Sequence, residues 1–216
     1  MNGKELIVQI GKMVLPPGKR SPDDEGFNLK SDSMTNIYKN VYLYMVNSKA
    51  AMKQKIIPEK GLLFCGAVGT GKTVCVRVMQ QMALRVNGLE KREMCIVGVN
   101  DFLKVYKDND KETGGETKAF EMYGYDKKME MCIDELGWEA VQKNYYGNDI
   151  SAIIANWIMD RHRLFVETGI RTHFTTNLKI NSPGETIDLE RLYGPRITDR
   201  LKEMCNVINW VGGSWR

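Results

Sequence analysis

Lys72 and Thr73 close the run Gly66-Ala67-Val68-Gly69-Thr70-Gly71-Lys72-Thr73, which fits G-x-x-x-x-G-K-[ST], the spacing of a phosphate-binding loop. Glycines let a backbone pass close to a polyphosphate, whose oxygens then meet successive N–H groups and the positive end of a helix. The expected nucleotide contacts are Gly66, Ala67, Val68, Gly69, Thr70, Gly71, Lys72, Thr73 and Val74. Among them Lys72 would reach the β- and γ-phosphates as a point charge, and the Thr73 hydroxyl would hold Mg²⁺. The plainer alternative is a glycine-rich turn between a strand and a helix.

A second group lies some sixty residues on. Met129-Glu130-Met131-Cys132-Ile133-Asp134-Glu135 is a mostly apolar run ending in two carboxylates. Simple strand alternation places Asp134 and Glu135 on different sides, at the C-terminal strand end where open α/β sheets put their ligands. Asp134 would orient the Mg²⁺ shell, and Glu135 would polarise a water that attacks the γ-phosphate. An acidic pair following a buried strand is the alternative. Thr172 to Thr176 is β-rich and delivers Asn177, an amide able to bond a γ-phosphate or to form an ordinary turn. Arg196 and Arg200, four apart on an expected helix, are presented side by side, either solvated or held out for a phosphate in an adjoining subunit. His162 and His173 have no cysteine or carboxylate at metal spacing and read as structural.

The elements that must position these groups follow from periodicity. Leu62 to Cys65 reads as a buried strand, and Val76, Met79, Ala83 and Val86 as the inner face of a helix ending at Asn87-Gly88. Met94 to Val99 predicts a second strand, with Asn100 capping a helix that carries Phe102, Leu103 and Tyr106. Residues 107–128 read as a solvated loop or short helices. Asn148 or Asp149 can cap a long helix running through Ile150, Ile153, Ile154, Trp157, Ile158 and Leu164 to Gly169. Leu189 to Met204 predicts a helix beginning near Pro195 with Ile197, Leu201 and Met204 buried, and Val207 to Val211 a last strand. Ahead of all this, residues 1–15 form an amphipathic pattern through Leu6, Ile7, Ile10 and Met13. A polar connection with a boundary near residue 30 follows, then one helical pattern from Thr35 to Met52, ended by Pro58.

Length and composition set the outer bounds. A chain of 216 residues suits one α/β domain with a small appendage. Its net charge of +4 is not gathered into a basic tail, so bulk charge makes no case for nucleic acid. No stretch is long and apolar enough to span a bilayer, and the first residues do not read as a secretory signal. Cys65, Cys75, Cys95, Cys132 and Cys205 lack C-x-x-C spacing and read as reduced core residues, which favours the cytosol.

Taken in order, GAVGTGKT, CIDELG, a helix ending IMDRHR, TTNL, YGPRITDRL and the terminal GGSWR resemble the AAA+ core of the DnaC/DnaI-like bacterial helicase loaders and the related IstB-like transposition helpers. The resemblance covers residues 58–216 and leaves 1–57 as a short N-terminal helical and linker segment. It implies an α/β fold, a AAA+ P-loop core with a five-stranded parallel sheet in the order 5-1-4-3-2 between helices and no C-terminal lid. It also implies ATP with Mg²⁺, Asn177 as a γ-phosphate sensor, and Arg200 as an arginine finger reaching a neighbouring protomer of a homo-oligomer, with Arg196 as runner-up. The activity implied is ATP hydrolysis by a cytoplasmic protein that assembles on a replicative helicase, with single-stranded DNA as a further partner. An IstB-like helper, a small-molecule phosphotransferase and a nucleotide-gated binding module with little turnover are the alternatives.

Overall fold

Strand β1 (Gly61–Gly66) is apolar from Leu62 to Cys65 and buried along almost its whole length, as a central parallel strand covered on both faces must be. The computed structural model describes residues 3–14, 32–46, 49–85, 93–107, 115–141, 150–182 and 187–210. With β2 (Met94–Gly98), β3 (Glu130–Leu136), β4 (Thr172–Thr176) and β5 (Cys205–Trp210), β1 forms a five-stranded parallel sheet in the order β2-β3-β4-β1-β5, the order the resemblance implied. Leu63 and Ile133 both lie opposite Phe174, and Cys65 and Leu136 both lie opposite Thr176. The C-terminal ends of β1, β3 and β4 therefore sit side by side.

Close approach of β1 requires a residue without a side chain at its start. A Cβ on Gly61 would stand 1.9 Å from the Thr172 carbonyl oxygen, and the Gly61 carbonyl accepts a hydrogen bond from Asn206 Nδ2 at 3.1 Å. Strand β4 is polar in sequence yet wholly buried, because its side chains find partners. Thr172 accepts from Arg161 Nε at 2.9 Å, His173 Nδ1 accepts from the Leu62 N–H at 3.1 Å, and Thr176 donates to the Leu136 carbonyl at 2.7 Å. Arg161, fully buried in α7 (Ile150–Thr168), also donates to the carbonyls of Gly124, Lys127 and Met129 and so ties the turn before β3 to the sheet. His162 meets Glu203 and His173 meets Glu130, and no metal-binding cluster of His, Cys, Asp and Glu occurs among the described residues.

The described chain divides into two compact units. One holds the sheet residues other than Met94 and Trp210, together with α5 (Val99–Tyr106), α6 (Gly115–Tyr123), α7, α8 (Leu189–Tyr193) and α9 (Pro195–Met204). Its core includes Trp157 stacked on Phe102 at 4.1 Å, with Ile154, Ile158, Ile197, Leu201 and Met204 buried around it. The other unit holds α1 (Gly3–Val14), α2 (Asp32–Met45), α3 (Lys49–Lys53), the loop from Ala67 and α4 (Lys72–Arg85). There Ile7, Ile10, Tyr38, Val41 and Tyr44 are buried, as are Val76, Met79 and Ala83 of α4. The five cysteines are free thiols, four buried and Cys95 half-buried.

Several expectations needed correction. The single helix from Thr35 to Met52 is two helices, α2 and α3. Asn100 does not cap α5; Gly98 does, from an extended backbone, and Asn100 is the helix's second residue. Within 107–128, residues 115–123 form the short helix α6 with Ala119 buried, the second of the two alternatives expected there. Met13 is 56% exposed and lies off the buried stripe of α1. The helix expected to begin near Pro195 is α9, and the short helix α8 precedes it across Gly194. The stop at Asn87-Gly88, the caps at Asn148 and Asp149, the boundary near residue 30 and the terminal GGSWR lie outside the described residues.

Candidate nucleotide site

Strand β1 ends at Gly66 and the chain passes through Ala67 to Gly71 into α4, which begins at Lys72. Gly69 and Gly71 have φ of +78° and +95°, a region a Cβ makes costly, so these two positions call for glycine. Gly66 is an ordinary strand residue. Lys72 is only 6% exposed, and its Nζ donates to the Ala67 carbonyl at 2.7 Å. The Thr70 hydroxyl donates to the same carbonyl at 2.9 Å, while the Thr70 carbonyl accepts from Trp210 Nε1 at 2.9 Å. Thr73 and Val74 occupy the first turn of α4, half-buried, and Val68 stands out at 60% exposed. The loop is thus held by its own side chains and by one indole.

At the end of β3 the sheet departs from regular pairing. Between Ile133 and Leu136 the strand advances three residues while β4 advances two, so one extra residue bulges out. Glu135 takes a φ of +63°, uncommon for a residue with a long side chain. The simple alternation expected for Asp134 and Glu135 is therefore replaced by a bulge. The buried Thr175 hydroxyl holds it in place, donating to Asp134 Oδ1 and accepting the Glu135 N–H at 2.9 Å. Asp134 is half-buried and Glu135 is exposed.

Thr175 escaped the sequence reading. The available signal was a strand of mostly polar residues, Thr172 to Thr176, whose burial demands hydrogen-bond partners. Asn177 is exposed just beyond β4. Its neighbour Thr176 fixes the turn, donating to the Leu136 carbonyl and accepting the Leu178 N–H at 3.0 Å. Gly66, Asp134, Glu135 and Asn177 accordingly leave the sheet along one edge, where parallel α/β sheets bind ligands.

Arg200 lies on α9, partly exposed, with Nη1 donating to Glu203 at 2.7 Å. Glu203 is also met by His162 Nε2 at 3.0 Å, and the bonds from Arg200 and His162 hold its carboxyl below the usual range. Arg196, one turn earlier, is exposed. Behind the bulge, burial raises the Glu139 carboxyl while the hydroxyl of Tyr193, just before α9, donates to it.

Thr73 at the start of α4 and Asp134 at the end of β3 are each a hard oxygen donor of the kind Mg²⁺ takes, and Mg²⁺ is commonly held by one or two protein oxygens with phosphate and water completing the shell. A loop rich in N–H groups at a helix start, backed by a buried ammonium, suits the phosphates themselves.

Comparison with solved structures places the architecture. The chain superposes on the crystal structure of the DnaC helicase loader with a TM-score of 0.60 and 17% identity, over 86% of this chain and 94% of that one. The two share this fold, a five-stranded parallel sheet between helices. Another solved structure with this fold is AMPPCP-bound DnaA from Aquifex aeolicus, with a TM-score of 0.55 and 12% identity over 85% of this chain and 48% of that one. In sequence, the chain is 26% identical over 166 residues to the ESX-1 secretion system protein EccA1 of Mycobacterium leprae, covering 68% of this chain and 29% of that protein. The chain spans less than a third of the length of the curated relatives it matches. No family model matches it.

Proposed function

We propose that this chain binds Mg-ATP, hydrolyses it, and assembles on a replicative helicase, so that nucleotide turnover times helicase loading during DNA replication. The observation that carries the reading is the bulge at Asp134 and Glu135, seated on Thr175 at the sheet edge from which β1 releases the phosphate loop. A left-handed glutamate costs of order 1–2 kcal/mol, and such strain clusters at functional positions.

In this reading the loop N–H groups and Lys72 bind the phosphates, Lys72 exchanging its bond to the Ala67 carbonyl for phosphate oxygens. Thr73 and Asp134 would hold the Mg²⁺, which would supply neutralisation of charge on the phosphates. Glu135 accepts the proton of the attacking water, and Asn177 bonds that water or the γ-phosphate. Arg200 leaves Glu203 to reach the nucleotide of a second copy, so turnover depends on assembly. Likeness to the DnaC loader along nearly the full length of both chains supports the choice of helicase as partner, and single-stranded DNA is a further partner in the same reading.

The test is ATP binding and phosphate release by purified protein, alone, with single-stranded DNA, and with the replicative helicase of its host. Binding with turnover raised by the helicase is the expected result. Failure to bind ATP in all three conditions would remove the proposal, and binding without turnover would leave a nucleotide-gated module. Turnover raised by a transposase instead would move the chain to the IstB-like helpers.

A further inference from the structure

Trp210 stands 140 positions from Thr70 in sequence, yet its indole Nε1–H donates to the Thr70 carbonyl at 2.9 Å. It is buried, and Tyr38 of α2 meets it edge-on, with ring centroids 5.9 Å apart and planes at 78°. Tyr38 is itself fully buried. The indole is therefore constrained from the side of α2 while it holds the loop.

The bond acts on a particular peptide plane. A trans peptide points its C=O and the following N–H in opposite directions. When the Thr70 carbonyl points to Trp210, the Gly71 N–H must point away from the indole. Gly71 has a φ of +95° and no Cβ, so the adjoining plane meets little steric resistance to turning over. The Thr70 hydroxyl is bonded to Ala67 and does not compete for its own carbonyl. A single donor thus selects one of two orientations for an N–H in the middle of a phosphate-binding loop.

We propose that Trp210 is a positioning residue for nucleotide binding, orienting the Thr70–Gly71 peptide so that the Gly71 N–H serves as a phosphate donor, with Tyr38 of α2 fixing the indole that does so. This rests on the reading of the loop as a nucleotide site. Loss of the donor leaves a buried carbonyl unsatisfied and lets the plane rotate, which weakens phosphate binding. Because α2 supports the same ring, a partner that displaces α2 would change nucleotide affinity without touching the loop.

The experiment compares wild type with Trp210→Phe, which keeps an aromatic ring against Tyr38 and removes the donor. Nucleotide affinity is read by titration with Mg-ATP, and fold integrity by thermal unfolding without nucleotide. The expected result is affinity for ATP about tenfold weaker, the size expected for one buried hydrogen bond, with cooperative nucleotide-free unfolding at a melting temperature lowered by only about a few degrees. Equal affinity in the two proteins overturns the proposal. A second measurement on wild type alone covers a variant that does not fold: the Trp210 indole proton, assigned by NMR, should exchange slowly with solvent and shift when Mg-ATP is added. Rapid exchange, or no shift at saturating nucleotide, overturns it as well. Absence of ATP binding by wild type would remove the nucleotide reading instead, and the exchange rate would still report whether the indole bond forms.

Discussion

At the scale of single residues, the arrangement around Thr175 gives the sharpest expectations. Glu135 is exposed and strained, and its side chain is proposed to handle the proton of the attacking water. Glu135→Gln should keep ATP affinity within about threefold and lower turnover by roughly a hundredfold or more, the usual range for loss of a general base. Phosphate release and equilibrium binding check this, and unchanged turnover would assign the base elsewhere. Thr175→Val preserves shape and removes the hydroxyl that joins Asp134 to the Glu135 N–H. It should lower unfolding free energy by about 1–2 kcal/mol. Turnover should also fall about tenfold or more, because the bulge loses the bond that sets its geometry. Denaturant titration and a turnover assay measure the two effects separately.

At the scale of elements, the sheet depends on close approach at its start and on a buried carboxylate. Gly61→Ala would drive a Cβ to 1.9 Å from the Thr172 carbonyl, so β1 and β4 must separate. A loss above about 2 kcal/mol is expected in chemical denaturation, toward the upper range for overpacking a core. Glu130 tests the same strand from the other side. Burial alone would raise its carboxyl, but bonds from His173 and Arg171 more than reverse that and hold it at about 2, below its ordinary 4.5. A depressed carboxylate contributes stability that is fully present above pH 4.5 and lost as the pH falls toward 2. Unfolding free energy should therefore fall across that window by of order 2 kcal/mol. Glu130→Gln should be weaker at neutral pH and show a flatter profile. A wild-type profile that is already flat would mean the pair contributes nothing.

At the scale of the whole molecule, Arg200 carries the expectation that activity requires more than one chain. Its salt bridge with Glu203 is partly exposed, and pairs of that kind contribute little to stability. Arg200→Ala should leave melting temperature and ATP binding almost unchanged while removing assembly-stimulated turnover by about a thousandfold, the lower range for an arginine finger. Turnover measured against protein concentration, with and without helicase, checks this. Stimulated turnover that survives would move the role to Arg196 or remove it from α9. The loop residues were legible because their chemistry is local: glycines at Gly69 and Gly71 and a lysine at the helix start satisfy a fixed spacing. The polar strand β4 was legible as a strand from its β-branched residues. The tasks of its threonines were not, since their partners lie forty residues away.

What the sequence by itself determined is all five strands, the longer helices and their order, because hydrophobic period, glycine stops and the phosphate-loop spacing act over a few residues. It reached Gly66 to Thr73, the acidic pair at the end of β3 and the buried stripe of α9 by that route. Only the tertiary structure decided how those groups are held. The bulge that turns Glu135 outward exists because β3 and β4 fall out of step beside Thr175. The phosphate loop is braced by Trp210, a residue that no local pattern connects with Thr70. Both are hydrogen bonds between segments far apart in the chain, set by strand register and packing, and spacing along a sequence carries no record of them.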